Sequence, residues 1–183
     1  MTEIKLNING AIKFKLDRFK DNRGYFCSLN KHSKILNKYK FVSQSISYSK
    51  KNVVRGMHYQ KKNTQGHLIH LIKGKILDIG IDLRKKSPTF KKLSNIILDA
   101  NKINTIFLPP GVAHGFICLE KENIIYYNLT NSYDNKNESR IKFDENFLYT
   151  KYLKYFKRNL IYSLKDKKAK LKYQDIENII NEV

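Results

Sequence analysis

The chain has 183 residues, 41% of them hydrophobic, which is enough for one domain with a single substantial core, and its formal charge of +20 is its compositional outlier. No apolar run approaches the roughly 20 residues of a membrane-spanning helix and no stretch after Met1 reads as a signal region, so we expect a cytoplasmic protein that does not enter a membrane. The lysines are scattered among abundant Asn and Ile rather than clustered; this argues against a basic nucleic-acid-binding module, the least favoured reading, and leaves a positive field suited to steering an anionic substrate.

Taken in order, Ile4, Leu6 and Ile8, then Ile12, Phe14 and Leu16, alternate weakly and predict one or two edge strands between Thr2 and Lys20. Asp21-Asn22-Arg23-Gly24 is a turn, Lys31 to Tyr39 a short helix or loop, and Phe41 to Tyr48 a strand. Cys27 and Cys118 are read as reduced thiols, since a domain of this size needs no disulfide. Val53-Val54-Arg55-Gly56-Met57-His58-Tyr59-Gln60 is the densest stretch of chemistry. Arg55 offers a guanidinium fork for phosphate, Gly56 permits a close backbone approach, and His58 carries an imidazole that titrates near neutrality.

A polar loop from Lys61 to Gly66 precedes a strongly β region. His67 to Lys73 stops at Gly74; Lys75 to Leu83 then alternates, with Leu77, Ile79, Ile81 and Leu83 on one face and Asp78, Gly80 and Asp82 on the other. Further strands read at Leu93–Leu98, Asn104–Leu108, Gly115–Leu119 and Asn123–Thr130, divided by Asp99-Ala100-Asn101 and Pro109-Pro110-Gly111. Short strands at such regular spacing predict an all-β sandwich or barrel. The tail changes character: Phe143 to Arg158 is aromatic and lysine-rich, and Ile176, Ile179, Ile180 and Val183 fall at helical spacing.

The residues resemble the dTDP-4-dehydrorhamnose 3,5-epimerases and related nucleotide-sugar epimerases. The matching segments are Asp21-Asn22-Arg23-Gly24-Tyr25-Phe26, Val53 to Gln60, Thr64-Gln65-Gly66, Gly74 through Ile81-Asp82-Leu83-Arg84, Ser87-Pro88-Thr89-Phe90, Leu108-Pro109-Pro110-Gly111-Val112-Ala113-His114-Gly115-Phe116, and Ser163-Leu164-Lys165-Asp166. The resemblance implies an all-β, cupin-type jelly-roll barrel or sandwich with a few short helices, one near the C-terminus. It also implies one domain over 1–183 (core about 21–166, tail 167–183), a homodimer, no metal or other cofactor, and a nucleoside-diphosphate 4-keto-6-deoxy sugar as substrate.

Epimerising carbon beside a ketone removes a proton from one face and returns one to the other, so two groups on opposite sides are required. The resemblance implies that His58 is the base, oriented by Asp166, and that Tyr127 is the acid. Alternation puts Tyr127 with Ile125 and Leu129, opposite Tyr126. Arg23 and Arg55 are expected on the diphosphate, Gln60 and His114 elsewhere on the substrate, and Arg23 is expected to reach a neighbouring subunit's site. The chain departs from the family where the lysine after Gln-Gly is His67 and the arginine three residues on is His70. We expect His67 to stabilise the enolate as a neutral donor or, if an acid holds it charged, as a cation whose loss lowers turnover at rising pH. Ser28, Ser43-Gln44-Ser45 and Phe143 stand where the family has a glutamate, Gln-x-Asn and a tryptophan, which leaves the base and sugar open. The alternative reading is a metal-dependent cupin with ligands His58, His67 and His114, Gln60 standing at a fourth ligand place for which an amide is poorly suited.

Overall fold

The computed structural model describes residues 2–29, 33–102, 104–156 and 159–179. The edge strands come first, β1 (Thr2–Lys5) and β2 (Ile12–Lys15), followed by a small hairpin of β3 (Phe19–Asp21) and β4 (Gly24–Phe26) that turns through Asn22 and Arg23. The long strands are β5 (Ser43–Lys50), β6 (Val54–Gln60), β7 (His67–Lys73), β8 (Lys75–Asp82), β9 (Leu93–Asp99), β10 (Asn104–Leu108), β11 (Val112–Cys118) and β12 (Glu122–Leu129), with a short β13 (Glu138–Arg140). The predicted helix or loop at Lys31 to Tyr39 contains a 3₁₀ turn at Leu36–Lys38, residues 31 and 32 lying outside the described set.

Two antiparallel sheets face one another. One has six strands in the order β1-β2-β10-β7-β12-β5, the other five in the order β13-β6-β11-β8-β9. They form a sandwich and do not close into a barrel. Ile69, Leu71, Ile76, Leu98, Ile106, Leu108, Val112, Phe116 and Ile125 fill the space between them.

The alternation of β8 has an unexpected consequence. All of Ile76 to Asp82 is buried, so both faces of the strand are covered. Leu77, Ile79, Ile81 and Leu83 turn away from the sandwich into a second core, where Phe143, Phe147, Leu148 and Ile176 of the tail cover them. The polar face, Asp78 with Gly80, is the one on the interior side, where Gly80 lies against Ile8, Leu108 and Val112 and Asp78 against His114. A third cluster, with Phe14, Leu36, Leu68 and Phe107, covers the outer face of the six-stranded sheet.

The tail is tied down by two parallel bridges, Val53 to Ile161 and Ile141 to Leu171. It contains α1 (Leu153–Phe156), α2 (Leu164–Lys167) and α3 (Ile176–Ile179); the expected continuation through Ile180 and Val183 lies outside the described residues. Among the described residues no helix is long and apolar enough to cross a membrane. Cys27 and Cys118 are both free thiols. The segment Asp82 to Thr89 is a structural lock: Arg84, Ser87 and Thr89 all donate to the fully buried Asp82 carboxylate.

Candidate active site

A cavity of about 670 Å³ opens between the sheets beside β5, β6 and the tail. Its walls carry His58, His67, His114, Tyr127 and Asp166 together with Arg55, Ser45 and Ser47. Residues directly opposite across an antiparallel ladder share a face, so the pairings Arg140 with His58 and His58 with His114 set three basic side chains in one row across β13, β6 and β11. That row belongs to the five-stranded sheet; Tyr127 and His67 look across from β12 and β7 of the six-stranded sheet.

Gly56 makes this ladder possible. Its φ is +114°, and a Cβ there would sit 2.5 Å from the Gly115 Cα and 2.6 Å from the His114 carbonyl, where the register of β6 against β11 shifts. Two glycines face each other so that the two histidine-bearing strands can approach.

Each histidine of the row has a carboxylate. His58 Nε2 lies 2.7 Å from Asp166 Oδ1, and His114 Nε2 lies 2.8 Å from Asp78 Oδ2. Asp166 is delivered by α2, where Ser163 caps the short helix by accepting the Asp166 backbone N–H at 3.1 Å. Burial pushes the Asp166 carboxyl up, but the hydrogen bond and charge of His58, the Ser163 hydroxyl and Arg140 outweigh it and hold the group below the ordinary carboxylate range. Asp166 is therefore ionised at neutral pH, as an orienting group must be.

Tyr127 lies on the cavity side with Ile125, and its phenol is 3.2 Å from the Ser47 hydroxyl. Tyr126 faces the other way and stacks on His70, as alternation predicts. Burial pushes the Tyr127 phenol well above its ordinary value, with the Ser47 hydroxyl and Arg55 only partly offsetting it, so it stays protonated.

His67 lines the cavity with its ring centre 5.5 Å from that of His114. Burial, reinforced by the nearby imidazoles of His114 and His58, pushes it down to about 3. Of the two forms considered for it, this favours the neutral imidazole.

Among the other expectations, that for Gln60 needs correction. Gln60 is not in the cavity. Its amide nitrogen donates to the carbonyls of Asn63 and Ser132, and its oxygen accepts the Asp134 backbone N–H at 2.6 Å, so it staples two loops. His70 points to the far face of its sheet, between Thr105 and Asn128. Arg23 sits on the exposed β3–β4 turn paired with Asp21 at 2.6 Å, outside the cavity of its own chain. Arg55 does line the cavity, held by the Ser49 hydroxyl at 3.0 Å and the Tyr48 carbonyl at 3.2 Å. The metal reading fares poorly: among the described residues no group of three or more His, Cys, Asp or Glu side chains is arranged to hold an ion, and His58 and His114 are each committed to a carboxylate.

Sequence reasoning assigned no role to Asp78, Glu138 or Arg140. Asp78 had a visible signal as an acid in the middle of a largely apolar strand. Glu138 and Arg140 lie two residues apart, on one face of a strand too short for periodicity to reveal.

A family model described as dTDP-4-dehydrorhamnose 3,5-epimerase matches residues 5–173. The enzyme of that name from Salmonella typhimurium is 35% identical over 150 residues, covering 79% of this chain and 82% of its own. That from Methanothermobacter thermautotrophicus is 34% identical over 145 residues, 78% of each chain. Among solved structures, the Bacillus anthracis dTDP-4-dehydrorhamnose 3,5-epimerase with TDP and pyrophosphate bound superposes with a TM-score of 0.83 at 31% identity, over 93% of this chain and 98% of that one. A Legionella pneumophila epimerase in complex with dTDP-4-keto-L-rhamnose gives 0.80 at 28% identity, over 93% and 92%.

Proposed function

This chain belongs to the dTDP-4-dehydrorhamnose 3,5-epimerase family, and from that premise we propose that it inverts C3, C5 or both in a nucleoside-diphosphate 4-keto-6-deoxy sugar, for deoxysugar and surface-polysaccharide synthesis. The observation that carries the mechanism is the placement of His58 and Tyr127 on facing sheets across one cavity. A sugar ring between them presents one face to each, which epimerisation requires.

His58 removes the proton beside the ketone. Because Nε2 is occupied by Asp166, the lone pair that accepts the proton is on Nδ1, and Asp166 stabilises the resulting imidazolium. The electron pair moves onto the C4 oxygen. His67, neutral and lining the cavity, is the donor for that enolate, with His114, held through Nε2 by Asp78, beside it; removing one such donor typically costs on the order of 3–4 kcal/mol of transition-state stabilisation. Tyr127, still protonated in its apolar wall, returns a proton to the opposite face. Arg55 takes the diphosphate with its guanidinium fork, and Ser45, where the resemblance puts an asparagine, lines the cavity with Ser47.

We further propose a cytoplasmic homodimer. Val42, Ile46 and Tyr48 are exposed on and beside the edge strand β5, and Phe19, Tyr25 and Phe26 on the small hairpin, apolar surface that a second copy would cover while carrying Arg23 to its partner's cavity.

The test is proton NMR of dTDP-4-keto-6-deoxyglucose in D₂O with catalytic enzyme. Loss of the C3 signal, the C5 signal or both establishes enolisation and identifies the carbon. Failure to exchange either proton with the dTDP, GDP and CDP forms alike would refute the assignment.

A further inference from the structure

The side chain beside the His58–Asp166 pair is Arg140. It is partly buried, ion-paired to Glu138, and its Nε sits 3.3 Å from Asp166 Oδ1, the oxygen that His58 also holds. That Nε is buried without a hydrogen bond, for all its closeness to Asp166. Glu138 is anchored in turn by the Tyr133 hydroxyl at 2.8 Å. A chain of contacts thus runs from the exposed Tyr133 through Glu138 and Arg140 to Asp166 and His58.

We propose that Arg140 is a positioning residue for the base: clamped by Glu138, it holds its cation against the shared oxygen of Asp166 and sets how strongly that carboxylate supports a protonated His58. Asp166 cannot give its full charge to two cations through one oxygen. The more Arg140 takes, the weaker the support for an imidazolium, and the readier His58 is to release the proton it has abstracted. Glu138 divides Arg140's charge and so fixes the balance. The remaining titratable or charged groups around His58 are His114 backed by Asp78, His67, Tyr127, Arg55 and the phenols of Tyr133 and Tyr162. None of these touches the Asp166 carboxylate in the described contacts.

The inference rests on the epimerase reading for its kinetic consequences only, and the decisive measurement needs no substrate. Histidine side chains are labelled with ¹⁵N, the His58 resonance is assigned with a His58→Gln variant, and its titration is followed in the free protein. Arg140→Gln frees Asp166 to support the imidazolium, so the His58 midpoint rises by about one pH unit, as expected for losing a cation at this range. Glu138→Gln releases Arg140 fully onto Asp166, so the midpoint falls. Arg140→Lys keeps the charge and stays near wild type. Opposite displacements in the Gln variants are the signature; a packing role would move neither, or both the same way, and either result overturns the proposal. Should Arg140→Gln not fold, Glu138→Gln against Arg140→Lys carries the same comparison.

In turnover, the acid limb of kcat/KM moves with the NMR midpoint, kcat falls about tenfold or more in Arg140→Gln, and KM stays within about threefold. A rise in KM at unchanged kcat would make Arg140 a substrate contact and refute its positioning role. Wild-type protein inactive on every 4-keto sugar would defeat the epimerase assignment while leaving the titration to decide Arg140.

Discussion

Acid should unfold this protein earlier than its charge alone would dictate, and His70 gives the clearest measure. Its side chain is 1% exposed. Nδ1 lies 2.7 Å from the Thr105 hydroxyl and Nε2 lies 3.3 Å from the Asn128 amide nitrogen, whose oxygen accepts from Tyr126. That network suits one neutral tautomer: Nδ1–H donates to Thr105 and Nε2 accepts from Asn128. Protonation would set two donors against each other in a dry site, and burial accordingly pushes His70 from 6.5 down to about 4. The folded value lies below the unfolded one, so the contribution is whole above pH 6.5, drains away as pH falls toward 4, and is constant below. At about 1.4 kcal/mol per pH unit the full loss is about 3 kcal/mol, of which about 2 kcal/mol is gone by pH 5. Urea unfolding of wild type and His70→Gln at fixed protein concentration, from pH 7.5 to 4.5, should give a less stable variant at pH 7.5 whose stability falls less steeply, the two curves converging by about 2 kcal/mol at pH 5. Parallel curves would show that His70 titrates normally and that the tautomer argument is wrong.

Tyr127→Phe should cut epimerisation by about 10²–10⁴-fold while hydrogen exchange with solvent from the His58 side persists; loss of both would mean that Tyr127 also serves the deprotonation. His58→Ala should abolish both, read by the same NMR assay. Because His67 sits at about 3 and Tyr127 lies above ordinary tyrosines, kcat should stay level between pH 8 and 9.5, and a decline centred in that interval would argue against these assignments. Gly56→Ala drives a Cβ into Gly115 at a φ of +114° and should lower the melting temperature by roughly 10 °C or more, or prevent folding; an unchanged melting curve would show that the two strands can part freely.

Much of the fold was legible because strand periodicity and turn residues act locally. Gly74 ends β7, where a Cβ would lie 2.3 Å from the Glu122 carbonyl, and the Pro109-Pro110-Gly111 turn separates β10 from β11. The placement of Tyr127 opposite Tyr126 followed from period two alone. What stayed hidden depended on which side of a strand the rest of the chain would cover. Alternation separated the two faces of β8 without saying which would look inward; the apolar stripe packs under the tail, and Asp78 lies on the interior side with His114. Gln60 was misjudged for the related reason that resemblance at a position says nothing of what surrounds it: Gln60 is captured by two loops.

The arrival of Asp166 on a four-residue helix within the tail means that one segment both roofs the outer core and completes the proposed catalytic pair. The bridge at Val53 and Ile161 lies just ahead of it, and the bridge at Ile141 and Leu171 just after. A local opening that lifts the tail would strip the base of its carboxylate while the sheets still stood, so inactivation would run ahead of global unfolding. Turnover in this protein is thereby a gauge of whether its last forty residues or so are seated.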